Sequence, residues 1–408
     1  MEHKKGRFVR RGGMRQGVTV ILVCCGLGCA VPAQAQLASD LELNEVLRTT
    51  LSYHGYGAEV ADADVGDDGV LAALPSLSAS RLQSDQRLGT DETEIALNLP
   101  FKSSRRRDVD ADLGALQQSL QQVQQRYRAW FFSGLIRDAV WEHRLATLQL
   151  EQSRARAALI LELEQRAALQ ADAGAIPGYA ALLLTQERLD AELRVADGVA
   201  RRRAAQAGFS ALTGLPAVPK QIAETASLPA EPDYSQHPQL ALLELGRDQQ
   251  QALIALTDPA AADWNLALTA RSLNGPGPTE NQYGVAVDLP LTFIEVSNRA
   301  SEVQRASLSR DFSLQRDSLR TGIRTQWITL SAEAQRLRER RELLLQSARI
   351  GQRIEAQLLT LRSSSEMEVE LVIRRLLEVL ERRSEAALID AEIQHNAARL
   401  RQTAGLAL

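Results

Sequence analysis

The 408-residue chain has a formal charge of −4 and 4% aromatic residues, with Leu and Ala dominating its apolar set. That charge gives no general case for nucleic-acid binding. Scarce aromatics suit long helices meeting along narrow seams better than one large globular core, although the length alone would allow two or three domains.

Met1 to Arg15 is basic, Val18 to Leu27 is a short apolar run, and Ala33-Gln34-Ala35 offers a small-x-small cleavage site. Together they predict a secretory signal over residues 1–35, whose long basic region is explained if translation begins at Met14. The apolar run is too short for a membrane helix. Cys24, Cys25 and Cys29 all precede the predicted cut, so the exported chain has neither a disulfide scaffold nor a thiolate zinc site. Gly26-Leu27-Gly28-Cys29 departs from a lipoprotein box, which wants an aliphatic residue at Gly26, and a lipid anchor is not favoured.

Asp40 is a candidate N-cap for a helix over Leu41 to Ser52, with Leu43, Val46, Leu47 and Leu51 on one side. His54 to Leu74, rich in Gly and Asp, reads as a short frayed helix and not as a calcium loop, because no ligating Glu closes that pattern. Two strands follow, at about 75–83 and 93–100, the second alternating Ile95, Leu97 and Leu99 with polar or small residues and stopping at Pro100. Beyond it the period changes to 3.6 through Leu113, Leu116, Leu120, Val123, Tyr127 and Trp130, then Leu145, Leu148, Leu159 and Leu163. Helical throughout, Arg105 to Gln170 would be a rod of roughly 100 Å; two ordinary bundle helices with a missed break are the alternative.

The same order returns 190 positions later. Strands are expected at about 265–273 and 282–290, with Val285, Val287, Leu289 and Pro290 in the places of Ile95, Leu97, Leu99 and Pro100. A second long stripe carries Leu308, Phe312, Leu319, Ile323, Trp327, Leu330, Ala334 and Leu337. Asp172, Gly174 and Pro177 mark the reversal of the first rod, and Ser363, Ser364 and Ser365 that of the second. The endings Leu212-Thr213-Gly214-Leu215 and Thr403-Ala404-Gly405-Leu406 also echo one another. The expected organisation is a first repeat over 36–215 with a helical hairpin at 105–211, a Pro-rich linker over 216–238, and a second repeat over 239–408 with a hairpin at 295–403. The copies differ between histidine and strand: His54 to Leu77 is 23 positions and His237 to Leu266 is 29.

Strands about nine residues long match a tilted outer-membrane strand, although a half-buried hairpin in a soluble protein alternates in the same way. Four strands cannot close around a lumen, so a membrane version has to borrow strands from identical copies. The six apolar residues Ile95, Leu97, Leu99, Val285, Val287 and Leu289 would then form the lipid face. Lys102, Arg105, Arg106 and Arg107 directly follow a strand, where their long side chains would reach interfacial phosphates.

No phosphate loop, dinucleotide fingerprint, nucleophile elbow or His-Glu-x-x-His occurs, and the five histidines are dispersed. His54 and His237 occupy equivalent places, where a structural role such as starting a helix outweighs catalysis. No enzyme activity, cofactor or metal site is expected. Glu366, Glu368 and Glu370 open the last helix. The helix dipole alone accounts for acidic residues there; repeated around an axis, they would instead form a carboxylate ring favouring cations.

The duplicated order, with its Leu99-Pro100-Phe101 and Leu289-Pro290-Leu291 junctions and Leu-Thr-Gly-Leu ending, resembles the TolC-like outer-membrane efflux protein family, the outer membrane factors that include CzcC-type channels. The resemblance covers about Leu41 to Leu406. It implies a mixed α/β, predominantly α, membrane protein in which a homotrimer contributes four β-strands per subunit to a 12-stranded outer-membrane barrel, continued by a long periplasmic α-helical barrel. It implies tips at Asp172, Gly174, Pro177 and Ser363 to Ser365 that face a periplasmic adaptor, itself bound to an inner-membrane pump of the RND or ABC type. Glu366, Glu368 and Glu370 would lie at the periplasmic entrance. This sequence departs from the family in having Ser364 opposite Gly174, and in the short segment after His54, which leaves one wall of the tube thin. The implied function is a passive exit duct for efflux or type I secretion; a periplasmic coiled-coil adaptor or structural rod without a pore is the alternative.

Overall fold

The computed structural model describes residues 41–56, 69–224, 227–257, 261–290, 299–361 and 369–408. Helix α1 (Leu43–Tyr53) leads to strands β1 (Ser76–Leu82) and β2 (Asp91–Phe101), then to helices α2 (Ser104–Asp172) and α3 (Gly178–Thr213). The second half holds α4 (Pro238–Leu256), β3 (Trp264–Asn274), β4 (Glu280–Asp288), α5 (Arg299–Leu361) and α6 (Val369–Thr403). The predicted signal with its cysteines, Asp40, Leu291, Ser363 to Ser365, Glu366 and Glu368 lie outside the described residues.

The first rod is unbroken. Helix α2 runs for 69 residues, about 100 Å at the α-helical rise, which removes the alternative of two bundle helices. Ser103 starts it by accepting the Arg106 N–H at 3.1 Å. No proline interrupts it, and Gly174, at φ 70°, ends it. There the Ala175 and Gly174 amides bond back to the carbonyls of Gln170 and Ala171, at 2.8 and 3.0 Å. This six-to-one and five-to-two pairing satisfies the last carbonyls and needs a left-handed residue. A Cβ on Gly174 would meet nothing within 4 Å, so glycine is there for its backbone angle and not for space.

The rods return along seams with a seven-residue period. In α3, Leu184, Ala191, Gly198 and Ala205 are buried at successive sevens; in α5, Ile323, Leu330, Leu337 and Leu344 are. Such a repeat keeps one stripe facing the partner helix, as in a coiled coil. At Gly198 the helices are so close that a Cβ would sit 3.4 Å from Leu150 Cα. Buried Asn396 donates to the Leu330 carbonyl at 2.9 Å, a polar contact that fixes the α5–α6 register. Arg188 to Glu164, at 2.9 Å, and Arg340 to Glu385, at 3.3 Å, cross the two hairpins at partly exposed positions, where such pairs add about 1 kcal/mol or less.

The main core lies around the middle of α2. Phe132, Ile136, Val140 and Trp141 pack with Val46 and Leu47 of α1, Phe209 of α3, Ile222 of the linker, and Ala391 and Ala398 of α6. Beside it Arg137, with its side chain 2% exposed, makes a two-pronged bond to Glu224 through Nε at 2.9 Å and Nη2 at 2.6 Å. Its Nη1 donates to Gln402 Oε1 at 2.6 Å and to the Leu406 carbonyl at 2.8 Å. Gln402 and Trp130 exchange a reciprocal pair of hydrogen bonds at 2.9 and 2.8 Å. Linker and C-terminal end are thereby tied to one point on the rod.

Several local expectations are corrected. The N-cap of α1 is Glu42, whose side chain makes no cap bond, rather than Asp40. Pro100 does not stop β2, which continues to Phe101: Pro100 needs no N–H there, and its carbonyl accepts from Ala72 at 3.0 Å. Of the segment expected to be a frayed helix, residues 57–68 are outside the described set. Residues after them are extended, with a Leu71–Phe101 bridge and a 2.9 Å bond from the Lys102 amide to the Val70 carbonyl.

The two histidines at equivalent positions do different work. His54 closes α1 and donates from Nε2 to the Leu212 carbonyl at 2.8 Å. His237 opens α4, its Nδ1 accepting the Gln239 amide at 3.3 Å. Burial lowers the His237 pKa from 6.5 to about 4, opposed by its bond to the Thr403 backbone.

Two predictions follow from this packing. Arg137→Ala leaves buried Glu224 with only Arg401 Nε at 3.9 Å and takes the donor from Gln402 Oε1 and the Leu406 carbonyl, and is expected to cost about 3–5 kcal/mol, of which Glu224→Gln in the same chain recovers a part; melts of the purified variants measure both. An imidazole neutral when folded but protonated when unfolded loses stability as pH falls from 6.5 towards 4, and costs nothing above that window. His237→Asn keeps a capping oxygen, so the gap in melting temperature between it and the wild type should shift in the variant's favour across that range.

Candidate functional site

The four strands form one antiparallel sheet in the order β1-β2-β3-β4. Register decides which side chains share a face, because residues directly opposite one another point the same way. Leu77, Leu97, Leu268 and Val285 stand in one row across all four strands. Leu99, Leu266 and Val287 make the next, and Ala79, Ile95, Ala270 and Tyr283 another. At the helix end Phe101 stacks on Trp264 with ring centroids 4.4 Å apart. From Phe101 to Ile95 this apolar band runs about 20 Å along the strands, which is about 15 Å of height at the tilt of outer-membrane strands.

Nothing among the described residues covers the band. Leu77 is 72% exposed, Val285 71% and Tyr283 82%. A contiguous apolar face of this kind marks a surface made to meet lipid or protein. The expected lipid-face residues Ile95, Leu97, Leu99, Val285 and Val287 thus sit together on one side, with Leu289, 64% exposed, just past the end of β4. Their β1 and β3 neighbours were not singled out in the sequence, because Ser-rich β1 alternates weakly.

The other face is polar. Arg271 of β3 reaches Glu92 at 2.8 Å and Glu94 at 2.6 Å, both on β2, so one guanidinium holds two carboxylates across the junction of the two hairpins. Glu280 shares the row of Glu92 through Leu273. The alternation of Glu92 and Glu94 with Thr93 and Ile95 carried this signal in the sequence. On the outer sides of β1 and β4, no strand among the described residues pairs with the sheet, which leaves two rows of backbone donors and acceptors open.

The basic cluster after β2 does not project as expected. Lys102 is buried, its ammonium 3.1 Å from Asp110, and Arg106 pairs with Asp263 at 3.1 Å. Both are turned inward by carboxylates around the strand-to-helix junction, which leaves Arg105 and Arg107 exposed on the first turn of α2. At the far end, Asp172 ends α2, Gly174 makes the turn and Pro177 precedes α3. Glu370 lies in the backbone of α6; the other members of the second tip are outside the described residues. Among the described residues there is no group of three or more potential metal ligands, and no helix is long and apolar enough to cross a membrane.

No protein-family model and no curated protein matches the sequence. Solved structures do match in three dimensions. The CmeC outer membrane channel of Campylobacter jejuni aligns at a TM-score of 0.65 and 14% identity, over 89% of this chain and 85% of that one. The outer membrane protein VceC of Vibrio cholerae gives 0.65 at 11% identity, over 91% and 98%. CusC, described in terms of transmembrane channel formation, gives 0.61 at 14% identity, over 92% and 93%. The fold is therefore that of the bacterial outer-membrane channels. More narrowly, it is the fold of the TolC-like outer membrane factors.

Proposed function

We propose that this chain is the subunit of an outer-membrane exit duct, through which solute leaves the periplasm in an efflux or type I secretion system. The observation that carries the reading is the four-stranded sheet with one bare apolar face, one charged face and two unpaired edges. In lipid an open edge leaves several backbone groups unsatisfied at a cost of several kcal/mol each. A homotrimer closing a 12-stranded barrel pairs every edge and turns the apolar rows to lipid and the Arg271 cluster to water. The helical hairpins then extend the duct as a periplasmic tube.

On this reading Asp172, Gly174, Pro177 and Ser363 to Ser365 meet a periplasmic adaptor, which joins the duct to an RND or ABC pump in the inner membrane. Glu366, Glu368 and Glu370 line the periplasmic entrance. The protein performs no covalent chemistry: energy comes from the pump, and this chain supplies a wall and a gated opening. Residues 1–35 act as the export signal.

The lipid face has a specific test. Arginine in place of Val285, at mid-band, should cost about 2–4 kcal/mol in the bilayer and deplete the heat-modifiable oligomer from the outer-membrane fraction. Ala286→Arg, on the opposite face, should leave that oligomer in place. The duct itself is tested by single-channel recording from purified mature oligomer of known mass. Defined conductance steps from a trimer, altered when Glu366, Glu368 and Glu370 are neutralised, are expected. A soluble rod that neither inserts nor conducts would instead make this a periplasmic coiled-coil adaptor.

A further inference from the structure

Between the two helical hairpins, where α2, α3 and α6 meet, lies a cavity of about 280 Å³. Arg156 of α2 and Arg194 and Arg201 of α3 line it on one side, Glu381 and Glu385 of α6 on the other. The charges do not balance. Glu385 is already bonded to Arg340 and Arg382, at 3.3 and 3.2 Å. Arg156 has its nearest carboxylate, Glu187, at 3.9 Å, and its buried Nε has no hydrogen-bond partner. Among the described residues neither Arg194 nor Arg201 forms an ion pair with a carboxylate.

Burial and the neighbouring Arg194 both lower the Arg156 pKa, and Glu187 and Glu381 only partly oppose them. Like charges held this close, with a buried donor unmet, are costly unless something neutralises them. Guanidinium forks match the oxygen spacing of phosphate and carboxylate groups.

We propose that Arg156, Arg194 and Arg201 form a binding site for a small multivalent oxyanion, which bridges the first hairpin to the second. Occupancy neutralises the cationic wall and stiffens the contact between the hairpins. The site does not depend on the chain conducting solute, so it stands or falls apart from the duct.

Titration of pyrophosphate into the full chain in detergent, at constant ionic strength and followed by phosphorus NMR line broadening, tests it. Saturable binding is expected in the wild type. Arg194 and Arg201 are exposed, so Arg194→Gln with Arg201→Gln keeps the packing and should weaken binding by about tenfold or more, as loss of charge-assisted bonds implies. Arg156→Lys, which keeps the charge and loses the fork, should weaken it several-fold, and Arg338→Gln, at an exposed position of α5, should not. Absence of saturable binding in the wild type, or binding unchanged in the Arg194/Arg201 double variant, overturns the proposal.

Discussion

A helix of 69 residues touches a real core over only part of its length, so the place where it is gripped decides how everything else is arranged. That place is Arg137. Its guanidinium holds Glu224 from the linker and Gln402 and the Leu406 carbonyl from the C-terminal end. Removing two charges from water is expensive and is offset only by good geometry and full hydrogen bonding. The pair is therefore a register device more than a source of net stability: it makes one placement of linker and C-terminus on α2 far better than its neighbours. With that grip set, the long hairpins extend from it and are kept in phase by seams of one residue in seven.

The sheet carries the opposite problem. Among the described residues the sheet has exposed leucines and valines on one face and unpaired edges at both ends of the strand order. In the assembly proposed above, the bilayer would supply an apolar solvent for that face and further strands would satisfy the edges. The polar face is correspondingly ordered, with one arginine clamping two glutamates.

The two halves differ around their histidines. At one histidine a helix ends and at the other a helix begins, so α4 has no counterpart among the described residues of the first half. Helix α4 packs against both α2 and α5 and so bridges the two rods. The extended segment after Gly69 instead adds a short bridge to the base of β2. Its backbone takes hydrogen bonds from the end of β2, with the Ala72 amide on the Pro100 carbonyl and the Lys102 amide on the Val70 carbonyl.

What the sequence alone determined is whatever depends on local period and backbone chemistry. The change from two to 3.6 beyond Leu99, the absence of proline from the rods, and glycine at Gly174, Gly214 and Gly405 specify strands, long helices and their ends. The apolar stripe read from the sequence passes over Arg137, although Val109, Leu116, Val123 and Trp130 continue by sevens to it. Tertiary structure alone decided the partner of Arg137, because Glu224 lies 87 residues away. It also decided that Lys102 turns inward to Asp110, since a cation's burial depends on the carboxylate folded beside it. The side-by-side pairing of β2 with β3, which makes two hairpins one sheet, likewise rests on contacts far apart in the chain that no local period encodes.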